Sequence, residues 1–154
     1  MRRRTKSPAA GFTMIELVVV LAVLAIVASG AAIIGPRIAA ALRLEAGIHQ
    51  LAADLHDARI VAVAAQARTR LAFVRGRTSY RIERADDADA FHLTLARPLP
   101  EGVAVADVNS GGDLVFSARG NAENGTVVLA DRRGVHASLR LNQRGRVSVD
   151  RVRT

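Results

Sequence analysis

Leu17 to Gly35 is a run of nineteen residues without a charge, LVVVLAVLAIVASGAAIIG, and it constrains this chain more than any other stretch. As a helix rising about 1.5 Å per residue it is roughly 28 Å long, close to the hydrocarbon thickness of a bilayer. One acid, Glu16, stands at the mouth of the run, five residues after Gly11. Ahead of that glycine comes a basic stretch, MRRRTKSPAAG.

Two ordinary layouts compete for this pattern. A secretory signal peptide also joins a basic start to an apolar core and ends at small residues, which Ala28-Ser29-Gly30-Ala31-Ala32 supply. Its core usually spans about 7–15 residues, however, and carries no acid at its mouth. A plain membrane anchor accounts for the length but not for Glu16. A carboxylate carried to the centre of a membrane helix costs a few kcal/mol, on the order of 3. An acid beside hydrocarbon is therefore a functional candidate that needs a positive partner.

Gly11-Phe12-Thr13-Met14-Ile15-Glu16-Leu17 resembles the signal of type IV pilins and pseudopilins. The resemblance implies that a prepilin peptidase cuts after Gly11 on the cytoplasmic side. Phe12 then becomes the N-methylated first residue, and the apolar helix stays on the protein. The partner of Glu16 is then the new amino group at Phe12 of a neighbouring subunit. Opposite charges about 4 Å apart attract far more strongly in low dielectric than in water, so this pairing rewards correct register during assembly. Met14 stands where leucine is more usual, a swap that conserves volume.

Charge and cysteine content narrow the rest. The formal net charge of +8 suggests nucleic acid, but Arg2, Arg3, Arg4 and Lys6 all precede Gly11. From Phe12 onward 18 basic residues, every one an arginine, face 14 acids, a balance of +4 that excludes little. Basic residues before a first apolar helix hold that end in the cytoplasm, which predicts a single-pass inner-membrane protein with its carboxy-terminal domain in the periplasm. With no cysteine, disulfides and thiolate metal sites are excluded.

Gly30 and Gly35-Pro36 are expected to interrupt the apolar helix near its outer end. Helical character resumes from Arg37 to about Ala67. There Leu44, Ile48, Leu51, Leu55, Ala58, Ala62 and Ala65 recur at spacings of four and three, a stripe suited to packing on a sheet. Arg43, Gln50, Asp54, Asp57 and Arg59 fall largely off it. Beyond Gln66 seven or eight short strands are predicted: 71–74, 79–84, 91–95, 103–108, 114–116, 126–130, 137–141 and 146–149. The expected fold is α+β and pilin-like, a long amino-terminal helix packed on an antiparallel sheet domain. The expected parts are a cleaved leader (1–11), an assembly helix (12–35), an amphipathic half (36–67) and a β-rich domain (68–154).

A second resemblance covers these parts. Leu51-Ala-Ala-Asp-Leu-His-Asp-Ala-Arg59, Leu114-Val-Phe116, Gly120, Gly125-Thr-Val-Val-Leu129, Leu139 to Leu141 and Gly145-Arg-Val147 resemble the H-type minor pseudopilins, the GspH/FimT family. Ala118 stands where that family often has a proline. The resemblance implies a structural subunit of the type II secretion pseudopilus, placed near its tip. Its implied partners are other major and minor pseudopilins, prepilin peptidase, the inner-membrane assembly platform, the inner membrane itself and secreted cargo. The alternatives are a minor pilin of a type IV pilus or DNA-uptake system, and a membrane-anchored periplasmic binding domain.

No catalytic motif is found: neither His-Glu-x-x-His, nor Gly-x-Ser-x-Gly, nor a phosphate-cradling glycine loop, so an enzyme is not expected. His49 and His56 are seven apart on one helix side but lack a third ligand. Asp86, Asp87 and Asp89 lack the spacing and glycine of a calcium loop and read as a solvated turn. No metal and no cofactor are expected. Arg132, Arg133, Arg140, Arg144, Arg146, Arg151 and Arg153 suggest phosphate contacts. Asp150 interrupts them and stacking aromatics are scarce, so nucleic acid is not the expected partner.

Overall fold

A computed structural model describes residues 13–109 and 111–152. Helix α1 spans Met14–Ala64 and is followed by eight strands. The chain divides into two compact units, residues 1–38 and 39–154.

In the first unit α1 opens at Thr13, whose carbonyl accepts hydrogen bonds from the Glu16 and Leu17 amides at 3.1 and 3.2 Å. The expected interruption at Gly30 and Gly35-Pro36 is absent: α1 runs through all three residues without a break. Pro36 removes a single donor from the ladder, and α1 continues past it to Ala64. Ser29 donates its hydroxyl to the Ala25 carbonyl at 2.7 Å, which satisfies it within the helix.

The second unit contains the carboxy-terminal half of α1 and all the strands. The stripe predicted from spacing is the buried face: Leu44, Ile48, Leu51, Leu55, Ala58 and Ala62 are all in the core. Ala65 is not, because α1 stops at Ala64. The stop is a Schellman turn. Gln66 takes φ 52° while the Ala67 amide donates to Ala62 and the Gln66 amide to Val63.

The strands are β1 (Thr69–Ala72), β2 (Ser79–Ala85), β3 (Phe91–Pro98), β4 (Val103–Val108), β5 (Asp113–Phe116), β6 (Gly125–Asp131), β7 (His136–Leu141) and β8 (Val147–Val152). They form two four-stranded antiparallel sheets where one was expected, ordered β3-β2-β1-β5 and β4-β6-β7-β8. β5 pairs with β1, far back in sequence, while β6 turns to β4, and no local pattern encodes that choice. Leu71, Tyr80, Leu114 and Phe116 from the first sheet and Val103, Val105, Val127, Leu129, Leu139 and Leu141 from the second share one core with the helix stripe. Each fully buried leucine contributes about 1.5–3 kcal/mol of transfer free energy.

Gly47 sets how closely the helix approaches this core. A Cβ there would lie 3.3 Å from Pro100 Cδ and 3.5 Å from Val103 Cγ1. Pro98 ends β3 opposite Ser79. β3 is an edge strand, where proline is tolerated.

Candidate functional site

Gly11 and Phe12 lie outside the described residues; the candidate site begins for this structure at Thr13. The Thr13 Oγ1 accepts from the Glu16 amide at 3.3 Å, so Thr13 is the N-cap and Glu16 the third helical residue. Thr-x-x-Glu is capping-box spacing, a signal legible in the sequence but overlooked beside the charge of Glu16. An acid in the first turn also favours the helix dipole, by about 0.3–1 kcal/mol. Glu16 is exposed and enters no ion pair among the described residues.

The surface following it is apolar on every side. Ile15, Ile26 and Val27 are 73, 74 and 64 % exposed, although a soluble protein would cover such residues. α1 is long and apolar enough to cross a membrane, and no part of its most apolar window is buried within the chain. A helix hydrophobic all round is stable only against lipid or other apolar helices.

Where α1 lies on the sheets, a polar cluster fixes it. Tyr80 donates its hydroxyl to Asp54 Oδ2 at 2.6 Å, and Arg97 Nε donates to the same oxygen at 3.1 Å. Gln50 Nε2 donates to the Pro98 carbonyl at 2.9 Å and to the Tyr80 hydroxyl at 3.3 Å. Burial, with the adjoining Asp54 carboxylate second, holds the Tyr80 phenol well above the usual tyrosine range. Asp54, placed off the packing stripe by spacing, is therefore buried. Its charge is matched by partners on β2 and β3 that helical periodicity does not register.

A second fixture lies toward the end of α1. Arg59 Nε donates to the Gly120 carbonyl at 3.0 Å. A Cβ at Gly145 would sit 3.0 Å from both Arg59 Nε and the Gly120 oxygen, at φ +70°. Gly145 thus closes the β7–β8 turn against helix and loop at once, which only a residue without a side chain permits.

The remaining predicted groups go separate ways. His49 faces Glu45 at 3.8 Å, and His56 is exposed. Among the described residues no three His, Asp or Glu gather as a metal site. Asp86 accepts from the Ala88 and Ala90 amides and contacts His92 at 2.8 Å, which holds its carboxyl below the usual range. Asp89 pairs with Arg68 at 2.7 Å. Of the basic series, Arg133 pairs with Asp131 at 2.8 Å and Arg140 lies 3.6 Å from Asp150. Burial pushes the Asp131 carboxyl up, but the Arg133 guanidinium and two backbone amides outweigh it and hold the group below the usual range. Arg153 lies outside the described residues.

A helix whose first part is apolar and uncovered and whose second part lies on two antiparallel sheets defines a pilin-like subunit. The prokaryotic N-terminal methylation motif matches residues 6–32. The model of the type II transport protein GspH matches residues 48–151, two thirds of the chain, and the chain belongs to that family. It is a minor pseudopilin of type II secretion.

The fold is similar to that of the minor pseudopilin EpsH from the Type 2 Secretion System of Vibrio cholerae, with TM-score 0.61 and 9 % identity over 71 % of this chain and 97 % of that one. It is also similar to the type IV minor pilin FimU of Pseudomonas aeruginosa PAO1, with TM-score 0.56 and 16 % identity over 70 % of this chain and 87 % of that one. No curated protein matches the chain. Methylation motif and apolar helix together fit an inner-membrane anchor carrying a soluble domain.

Proposed function

We propose that this minor pseudopilin is cut by prepilin peptidase after Gly11, is N-methylated at Phe12, and carries Glu16 as its assembly charge. Residues 12–35 hold the subunit in the inner membrane with the amino terminus cytoplasmic and the β-rich domain periplasmic. Residues 36–67 form the spine on which residues 68–154 are built. Extraction from the membrane brings Glu16 beside the new amino group of a neighbouring subunit. The subunit acts as a structural part of the pseudopilus alongside other pseudopilins, handled by the inner-membrane assembly platform, and not as a catalyst.

The observation that carries this reading is the helix start: a capped Thr13–Glu16 turn with an unpaired carboxylate, followed at once by an uncovered apolar helix. A discarded signal peptide or a simple anchor could cap its helix with an uncharged glutamine at this position and has little use for the charge. The fold is also that of the pilin FimU, so the chain's class alone does not separate pseudopilus from pilus; the family match to GspH favours secretion.

Mass spectrometry of the mature amino terminus tests the processing. Methylated Phe12 is expected, and replacing Gly11 by a bulky residue should leave the chain at its unprocessed size. A mature terminus near Ala31, or cutting of that Gly11 variant at the same bond, would overturn it.

A further inference from the structure

All four asparagines of the chain, Asn109, Asn121, Asn124 and Asn142, line adjoining recesses at the end of the second sheet where β6 begins and β7 ends. One has a volume of about 530 Å³ and is lined by Asn109, Asn124, Thr126, Arg140, Asn142 and Arg146 among others. A second recess shares Asn124, Asn142 and Arg146 and adds Arg144. Two of the asparagines serve the backbone. Asn109 Oδ1 accepts from the Thr126 amide at 2.7 Å, and Asn142 Oδ1 accepts from the Arg144 and Arg146 amides at 3.1 and 2.9 Å. Asn121 and Asn124 have no side-chain hydrogen bond among the described residues, and Arg144 and Arg146 no ion pair there. Unused donors therefore face a concave surface from two sides.

The backbone that carries Arg144 and Arg146 is held in place. The Asn142–Arg146 turn is closed by its own hydrogen bonds and seated through Gly145 on Arg59 and the Gly120 carbonyl. With the turn fixed before binding, only the side chains have to order when a ligand arrives. Guanidinium and amide donors suit oxyanions, and guanidinium pairs with carboxylate bidentately. A phosphate polymer fits less well. Neither recess is lined by an aromatic residue on which a base could stack.

We propose that this recess is a carboxylate-recognition site that receives an acidic segment of a neighbouring subunit in the assembled filament. The proposal rests on the pseudopilin reading above and adds the chemistry of one contact to it.

The test uses the full chain in neutral detergent and a fluorescent Glu-Gly repeat peptide of about ten residues, titrated by anisotropy at low salt, where exposed charge pairs are least screened. A Gln-Gly peptide and a single-stranded oligonucleotide of equal charge serve as comparisons. The Glu-Gly peptide should bind, the Gln-Gly peptide should not, and the double variant R144Q/R146Q should weaken binding at least about ten-fold. Arg132→Gln, roughly 20 Å away at the other end of the β6–β7 hairpin, should leave it unchanged. Absence of binding, equal loss in the Arg132 variant, or tighter binding of the oligonucleotide through the same arginines would each overturn the proposal. The mature amino terminus of the same preparation separates the two readings. Phe12 at the terminus with no peptide binding removes only this site, whereas retained Met1 in cells with an active prepilin peptidase removes the processing reading whatever the peptide does.

Discussion

The hydroxyl of Tyr80, the only tyrosine in the chain, donates at 2.6 Å to Asp54, a carboxylate buried on the face of α1 that meets the sheets. The bond joins the helical spine to β2, and Arg97 and Gln50 complete it from β3 and from α1.

Replacing Tyr80 by Phe removes the hydroxyl while keeping most of the ring. Asp54 then keeps Arg97 but loses its shortest hydrogen bond inside the core. The expected cost is about 1–3 kcal/mol, read as a lower unfolding midpoint in denaturant with an unchanged slope. An unchanged midpoint would mean that solvent already satisfies Asp54.

The same pair predicts a dependence on alkaline pH. The folded-state value of Tyr80 lies above its ordinary 10.0, so the neutral phenol is favoured in the folded state. The stabilisation is complete below pH 10 and is lost as pH rises above it, because the unfolded chain ionises first. With one tyrosine and no tryptophan, phenolate absorbance reports Tyr80 alone. It should appear at higher pH in the folded chain than in denaturant, and Tyr80→Phe should flatten the alkaline fall in stability.

At the acid end the sign reverses. The folded-state carboxyl of Asp131 lies below its ordinary 3.8, so its contribution is present above that value and fades as pH falls through the folded-state one. Asp131→Asn should therefore lose stability at neutral pH and show a shallower decline below about pH 4. Chemical denaturation across the acid range measures both.

Gly145→Ala places a methyl group 3.0 Å from the Gly120 oxygen and from Arg59, at a positive φ. A loss of about 1–3 kcal/mol is expected. Adding Arg59→Ala relieves the side-chain part of the clash but not the contact with the Gly120 carbonyl. The double variant should therefore stay well below wild type in thermal unfolding.

Glu16→Gln separates two roles that Glu16→Ala confuses. Glutamine at the third helical position still suits the capping box, but it carries no charge. Membrane insertion should be normal and incorporation into filaments poor, measured by recovery in sheared pseudopili. Normal incorporation would assign Glu16 to the cap and remove the charge-pairing step.

Much of this protein was legible in its residues because the signals are local. Nineteen uncharged residues define an apolar helix in any surroundings, the Leu44–Ala62 spacing defines which face is buried, and turn glycines mark the strand ends to within about three residues. Continuity of α1 through Pro36 and the division of eight strands into two sheets were not legible. The second depends on which distant segment offers a better partner, as when β5 joins β1 and not its sequence neighbours. Asp54 and Arg59 illustrate the limit most clearly. Helical periodicity ranks a residue by polarity alone, whereas burial of a polar group is decided by whether Tyr80, Arg97 or the Gly120 carbonyl waits across the interface. The sequence by itself determined the membrane-length helix, the acid at its mouth and the methylation motif, since each is a local run of residues. Only the tertiary structure decided the polar fixtures between helix and sheets and the arginine-lined recess. The fixtures join residues 26 to 61 positions apart in the chain, where hydrogen-bond geometry and not pattern sets the outcome.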